Sequence, residues 1–158
     1  KELKIFMESK IIKDVIVKDL RIIPDERGSI MHMVKNLDNK FIFGEIYFST
    51  AYPGVIKGWH EHTVQTQNYA VIKGMIKLVL FDNRKDSSTY KNLQEIFIGI
   101  KNYKLITIPP GIINGYKNIS NEEVIVANCS DTPHKDGEMI RHDPEGDFIP
   151  YHWSIKHR

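Results

Sequence analysis

Short runs of β-type residues, each cut off by turn residues, constrain this chain more than any other feature. The runs are Ile11–Val17, Ile42–Ser49, Tyr69–Lys73, Ile76–Phe81, Ile96–Ile100, Leu105–Ile108 and Val124–Asn128. Many alternate apolar and polar residues with period two, as half-buried strands do. Turn signals separate them at Arg27-Gly28, Pro53-Gly54, Lys73-Gly74, Asp82-Asn83, Pro109-Pro110-Gly111 and Asp143-Pro144. A long 3.6-residue periodicity is missing, and the one helical signal is a short turn over Ser87–Glu95. Regularly spaced short strands predict an all-β sandwich or barrel. With 158 residues the chain suits a single domain. Its polar stretch 131–158 predicts an irregular tail over the barrel, anchored by Tyr151 and Trp153.

Charge and cysteine content remove several function classes. The net charge of +2 gives no electrostatic case for nucleic acid or an anionic membrane. Cys129 is the single cysteine, which rules out a disulfide within the chain and a cysteine-based zinc site. The sequence has no apolar run near the roughly 18 residues of a membrane span and no signal-peptide core, so a cytoplasmic protein is expected.

Trp59-His60-Glu61-His62 carries the most chemistry. Residues two apart in a strand share a face, so His60 and His62 are expected to project together. Two imidazoles in one cavity can move protons near neutral pH or bind a metal. Trp59 is expected on the opposite face as a core anchor. The tail histidines His134, His142, His152 and His157 are expected to be exposed.

The wider spacing resembles the two motifs of the cupin jelly roll. Gly54, His60, His62, Gln67 and Gly74 follow the first, and Pro109-Pro110-Gly111-Ile112-Ile113-Asn114 with Asn118 follows the second. Gln67 and Asn114 stand where metal-binding cupins carry Glu and His. Amides are poor ligands for transition metals, so neither a metal nor another cofactor is expected.

A longer stretch resembles the dTDP-4-dehydrorhamnose 3,5-epimerase family, from about Asp25 to Pro144. The matching segments are Asp25-Glu26-Arg27-Gly28, Gly54–His60, Asp82–Tyr90 and Ile108–Tyr116. The resemblance implies a metal-free cupin barrel that takes the proton beside the 4-keto group of a nucleotide-linked 4-keto-6-deoxy sugar. It implies His60 as base, with His62 beside it and Asp82 at the strand end that closes the pocket. It also implies Arg27 on the nucleotide diphosphate and Ser49, Lys57, Gln65, Gln67, Asn114 and Tyr116 around the substrate. Lys57 replaces the family's Arg, and its catalytic Tyr falls near Asp131. Lys57, Tyr47, Tyr69, Tyr116 and His134 all remain open as the missing acid. Lys57-Gly58-Trp59-His60-Glu61-His62 also resembles the Arg-Gly-x-His-x-His stretch of nucleotide-sugar 3,4-ketoisomerases. A cupin that binds a sugar nucleotide without catalysis is the further alternative. Both relatives imply a homodimer paired edge to edge, with Ile11–Val17 as a strand that could add to a neighbour's sheet.

Overall fold

The computed structural model describes residues 8–157. Among them every regular element is a strand. The strands are β1 (Ile16–Asp19), β2 (Ile22–Asp25), β3 (Gly28–Met31), β4 (Glu45–Ala51), β5 (Ile56–His62) and β6 (Gln67–Lys73). They continue as β7 (Met75–Asp82), β8 (Leu93–Gly99), β9 (Lys104–Ile108), β10 (Ile112–Asn118), β11 (Val124–Ser130) and β12 (Met139–Arg141).

Two five-stranded sheets face one another, ordered β1-β9-β6-β11-β4 and β12-β5-β10-β7-β8. All pairings are antiparallel. Hairpin β2–β3 forms a separate two-stranded sheet. This is the all-β architecture expected from the strand pattern and the jelly-roll arrangement implied by the cupin resemblance. The residues around Ser87 form turns rather than a helix, and Leu93–Glu95 belong to β8. The expected strand Ile11–Val17 also moves. β1 begins at Ile16 and pairs with β9 of the same chain, while Ile12 is buried in the core.

The core lies between the sheets. Tyr69, Val71, Ile106, Ile108 and Val126 come from one side, and Ile76, Leu78, Leu80, Ile96, Ile98 and Ile112 from the other. A second cluster covers the back of the second sheet, where Val79, Phe81, Leu93, Ile113 and Trp59 pack under Ile149, Tyr151 and Trp153 of the tail. Both faces of β7 are therefore buried, which explains its nearly continuous apolar run. The Trp59 ring centroid lies 4.9 Å from that of Trp153 and 6.0 Å from that of Tyr151. Lys77 lies over the Tyr151 and Trp153 rings, as the cation–π geometry requires. The tail thus straps the sheet from outside, held by the two aromatics the sequence pointed to, and on its way it contributes β12 to the sheet edge beside β5.

Candidate active site

A cavity of about 580 Å³ opens between the two sheets. Tyr47 and Ser49 of β4, Lys57, His60 and His62 of β5, and Gln67 and Tyr69 of β6 line it, together with Met139 and Arg141 of β12. A narrow extension of about 60 Å³ runs inward past Tyr116 and Asn128.

A bulge in β5 sets the composition of this wall. Asn114 pairs with His60, whereas Tyr116 pairs with Lys57, so Gly115 alone opposes Gly58 and Trp59. In a regular strand Lys57 and His60, three apart, would face opposite ways. The extra residue shifts the phase, so Lys57, His60 and His62 line one cavity while Trp59 packs behind it. The crossing of β5 and β10 needs two glycines. A Cβ on Gly58 would sit 3.1 Å from the Gly115 Cα, and one on Gly115 would sit 2.9 Å from the Trp59 ring.

His60 sits in a strongly cationic setting. Burial, then Arg141, His62 and Lys57, push its pKa down to about 4, so the ring is neutral at physiological pH. Arg141 is its direct cross-strand partner on β12. The Lys57 ammonium donates to Ser49 Oγ at 3.2 Å, and Ser49 Oγ shares a 2.8 Å hydrogen bond with the Tyr116 hydroxyl. Deeper in, the Tyr69 hydroxyl donates to Asn114 Oδ1 at 3.3 Å, and Asn114 Nδ2 donates to Gln67 Oε1 at 3.2 Å. Burial holds the Tyr69 phenol well above its ordinary pKa, and burial likewise raises that of Tyr116. Both phenols therefore keep their protons at neutral pH. Gln67 Nε2 is buried without a hydrogen-bond partner among the described residues.

His62 is held differently. Its Nδ1 lies 2.7 Å from Glu138 Oε2, and both side chains are buried. Glu138 Oε1 accepts the backbone N–H groups of Val64 at 3.0 Å and Gln65 at 2.9 Å. Burial alone would raise the Glu138 pKa. The two amides and the His62 ring outweigh it and hold the group below the ordinary carboxylate value. The backbone carbonyl of Glu138 accepts from Thr63 N and Thr63 Oγ1, so this residue ties down the whole turn after β5.

The cavity gathers Ser49, Lys57, His60, His62, Gln65 and Gln67 at its wall, with Tyr116 at the inner extension. Asn114 lies behind Gln67 and reaches the cavity through its hydrogen bonds. Gln65 donates its side-chain amide to the Thr132 carbonyl at 2.7 Å. Asp82 is elsewhere, a correction to its expected place at the pocket. Its fully buried carboxylate accepts from Arg84, Ser87 and Thr89 at the β7–β8 turn and lines no part of the cavity. Burial would raise its pKa, but Arg84, Thr89 and Ser87 hold it at about 2. Arg27 is also outside this chain's cavity. It sits exposed at the tip of hairpin β2–β3, paired with Asp25. His142 is partly buried, with Nε2 2.8 Å from Glu61 Oε2, and is less exposed than expected. His134 is exposed yet lines the cavity mouth.

Sequence reasoning missed Glu138, Met139 and Arg141. Their signal is faint: a three-residue strand inside a polar tail, beside Gly137. Among the described residues no group of three or more His, Cys, Asp or Glu side chains is placed to hold a metal ion.

Comparisons with known proteins match nearly the whole chain. A model of the dTDP-4-dehydrorhamnose 3,5-epimerase family matches residues 9–155. The chain is 35% identical over 143 residues to the probable low-salt glycan biosynthesis epimerase Agl13 of Haloferax volcanii, covering 89% of this chain and 88% of that one. It is 31% identical to the spore coat polysaccharide biosynthesis protein SpsL of Bacillus subtilis, covering 93% and 99%. Among solved structures, a dTDP sugar isomerase from Desulfovibrio desulfuricans superposes with a TM-score of 0.86 at 38% identity, covering 90% and 92%.

Proposed function

Because the chain belongs to the dTDP-4-dehydrorhamnose 3,5-epimerase family, with its epimerase- or isomerase-like role on sugar nucleotides in glycan biosynthesis, we propose that it moves a proton on the carbon beside the ketone of a nucleotide-linked 4-keto-6-deoxy sugar. The observation that carries this reading is the β5 wall. Two imidazoles and the Lys57 ammonium line one cavity, with Arg141 beside them.

The chemistry follows from those groups. An imidazole nitrogen takes the proton, the C–H electrons form a C=C bond, and the carbonyl electrons move onto oxygen. Lys57 and Arg141 stabilise that enolate oxygen. Reprotonation at the same carbon from the opposite face gives the epimer. Tyr69 and Tyr116, kept protonated by burial, are the donors at hand. Delivery of the proton so that the carbonyl migrates would give a 3,4-ketoisomerase instead. The cavity of about 580 Å³ has room for a sugar, and the nucleotide extends outward from it. The homodimer belongs to the same proposal, as does a place in the cytoplasm. Arg27, on its projecting hairpin, then meets the diphosphate of a neighbouring copy's substrate.

The test is incubation with such sugar nucleotides in deuterated water, read by mass and proton NMR. Deuterium enters the sugar with the intact protein and not with the double variant His60→Ala/His62→Ala. Two deuterons mark exchange at C3 and C5, one marks a single position, and a displaced carbonyl marks the ketoisomerase. A full panel of nucleotides without any exchange would leave only a binding role.

A further inference from the structure

The family resemblance puts the base at His60, but the charges around the two rings favour the other imidazole. We infer that Glu138 makes His62 the group that accepts the substrate proton, and that His60 remains a neutral hydrogen-bonding partner beside the enolate oxygen. The inference rests on the proton-transfer reading of this cavity.

A base must carry a positive charge once it has worked. On His60 that charge would arise in a partly buried position facing Lys57 and Arg141, with no carboxylate bonded to the ring among the described residues. On His62 it would arise 2.7 Å from a buried carboxylate. The same pairing fixes the ring. Glu138 Oε1 is occupied by two backbone N–H donors, so the group acts as an acceptor throughout. His62 Nδ1 then carries the hydrogen that Glu138 Oε2 accepts, and Nε2 presents its lone pair to the cavity that His62 lines. A carboxylate behind an imidazole sets tautomer and orientation and stabilises the imidazolium. Glu138 is thus a positioning residue. It cannot reach substrate, because its oxygens are spent on His62 and the Val64 and Gln65 amides.

The other charged and titratable groups around the rings fit this division. Lys57 and Arg141 flank His60, which suits a developing oxyanion rather than a cation. Glu45 Oε2 accepts the His134 backbone N–H at 2.7 Å. Tyr69 and Tyr116 are neutral phenols, and the Tyr47 hydroxyl oxygen accepts from Asn128 Nδ2 at 2.9 Å. The step balances without another reactant. His62 Nε2 gains the carbon's proton, the enolate oxygen gains the electron pair, and return of a proton to carbon restores the ketone.

Nitrogen-15 NMR of the ring nitrogens tests the first half on the protein alone. His62 is expected as the Nδ1–H tautomer, with Nε2 unprotonated when the ring is neutral. In Glu138→Gln the amide oxygen still accepts the Val64 and Gln65 N–H groups, but its NH₂ now faces His62 and forces the Nε2–H tautomer. Deuterium exchange tests the second half. His62→Gln abolishes it, Glu138→Gln lowers its rate at least tenfold with unchanged KM, and His60→Gln retains measurable exchange. An Nε2–H tautomer in the unaltered protein would overturn the inference. So would exchange that survives His62→Gln and Glu138→Gln but vanishes in His60→Gln. Should Glu138→Gln not fold, the tautomer of the unaltered protein and the two histidine variants decide alone. Exchange absent from the unaltered protein removes the proton-transfer reading itself, a different outcome from exchange that ignores His62.

Discussion

At the scale of single residues, the two imidazoles on β5 have opposite surroundings, and this has a consequence for stability. Folding lowers the His60 pKa from 6.5 to about 4, so the unfolded chain takes up this proton first as pH falls. Between those values the unfolded state binds more protons, and stability drops as pH drops. The loss from this group saturates near pH 4 at no more than about 3 kcal/mol, less whatever solvent reaching the partly exposed ring screens. His60→Gln removes it. Urea midpoints for this variant and the unaltered protein, compared at pH 7 and pH 4.5, should show the variant losing less on acidification. Parallel losses would mean that His60 is not held neutral. His60, His62 and Lys57 were legible because strand alternation and a spaced motif both pointed at them. Asp82 was misplaced for a physical reason. A carboxylate at a strand end serves a turn and a pocket equally well in sequence, and only the three donors Arg84, Ser87 and Thr89 show which it is. Glu138 was not legible at all, since its partners lie 73 to 76 residues away.

At the scale of elements, the strands of the two sheets were largely readable, because half-buried alternation leaves a pattern. β7 was readable for another reason, having both faces covered. β12 was not, because three residues are too few to show a period, and we predict that the segment forms only where the neighbouring strap holds the tail in place. That dependence is testable. Trp153 is 9% exposed and stacks on Trp59, and its carbonyl accepts from Lys77 and Lys117. Trp153→Ala should cost about 3–5 kcal/mol in chemical unfolding, the usual penalty for emptying such a core site. Hydrogen exchange should rise at Ile140 and Arg141 more than on β9, since β12 leans on the strapped sheet edge. Equal protection on both strands would show that β12 stands without the strap.

At the scale of the whole molecule, hairpin β2–β3 and the edge strand β4 leave apolar side chains exposed. Ile30 is 60% exposed and Phe48 59%, and among the described residues β4 pairs only with β11. An open edge with outward apolar side chains is the kind of surface that a second copy covers. The homodimer proposed above predicts a solution mass near twice 18.4 kDa by sedimentation at micromolar concentration. Phe48→Lys should weaken the association. A monomer in the unaltered protein would end the dimer reading and the role of Arg27 in a neighbour's site with it.

The bulge in β5 gives this site an unusual kind of fragility. Whether Lys57 shares a wall with His60 depends on the bulge that takes up the odd residue between them. A regular ladder over the same residues would turn the ammonium towards the aromatic strap, with every acid–base group still present in the chain. Two proteins with the same inventory of polar side chains could therefore differ in chemistry by a one-residue shift in strand pairing. Across relatives of this fold, the trait to follow is whether an odd step from lysine or arginine to the first histidine is matched by a bulge, because the two together decide which way the side chains face.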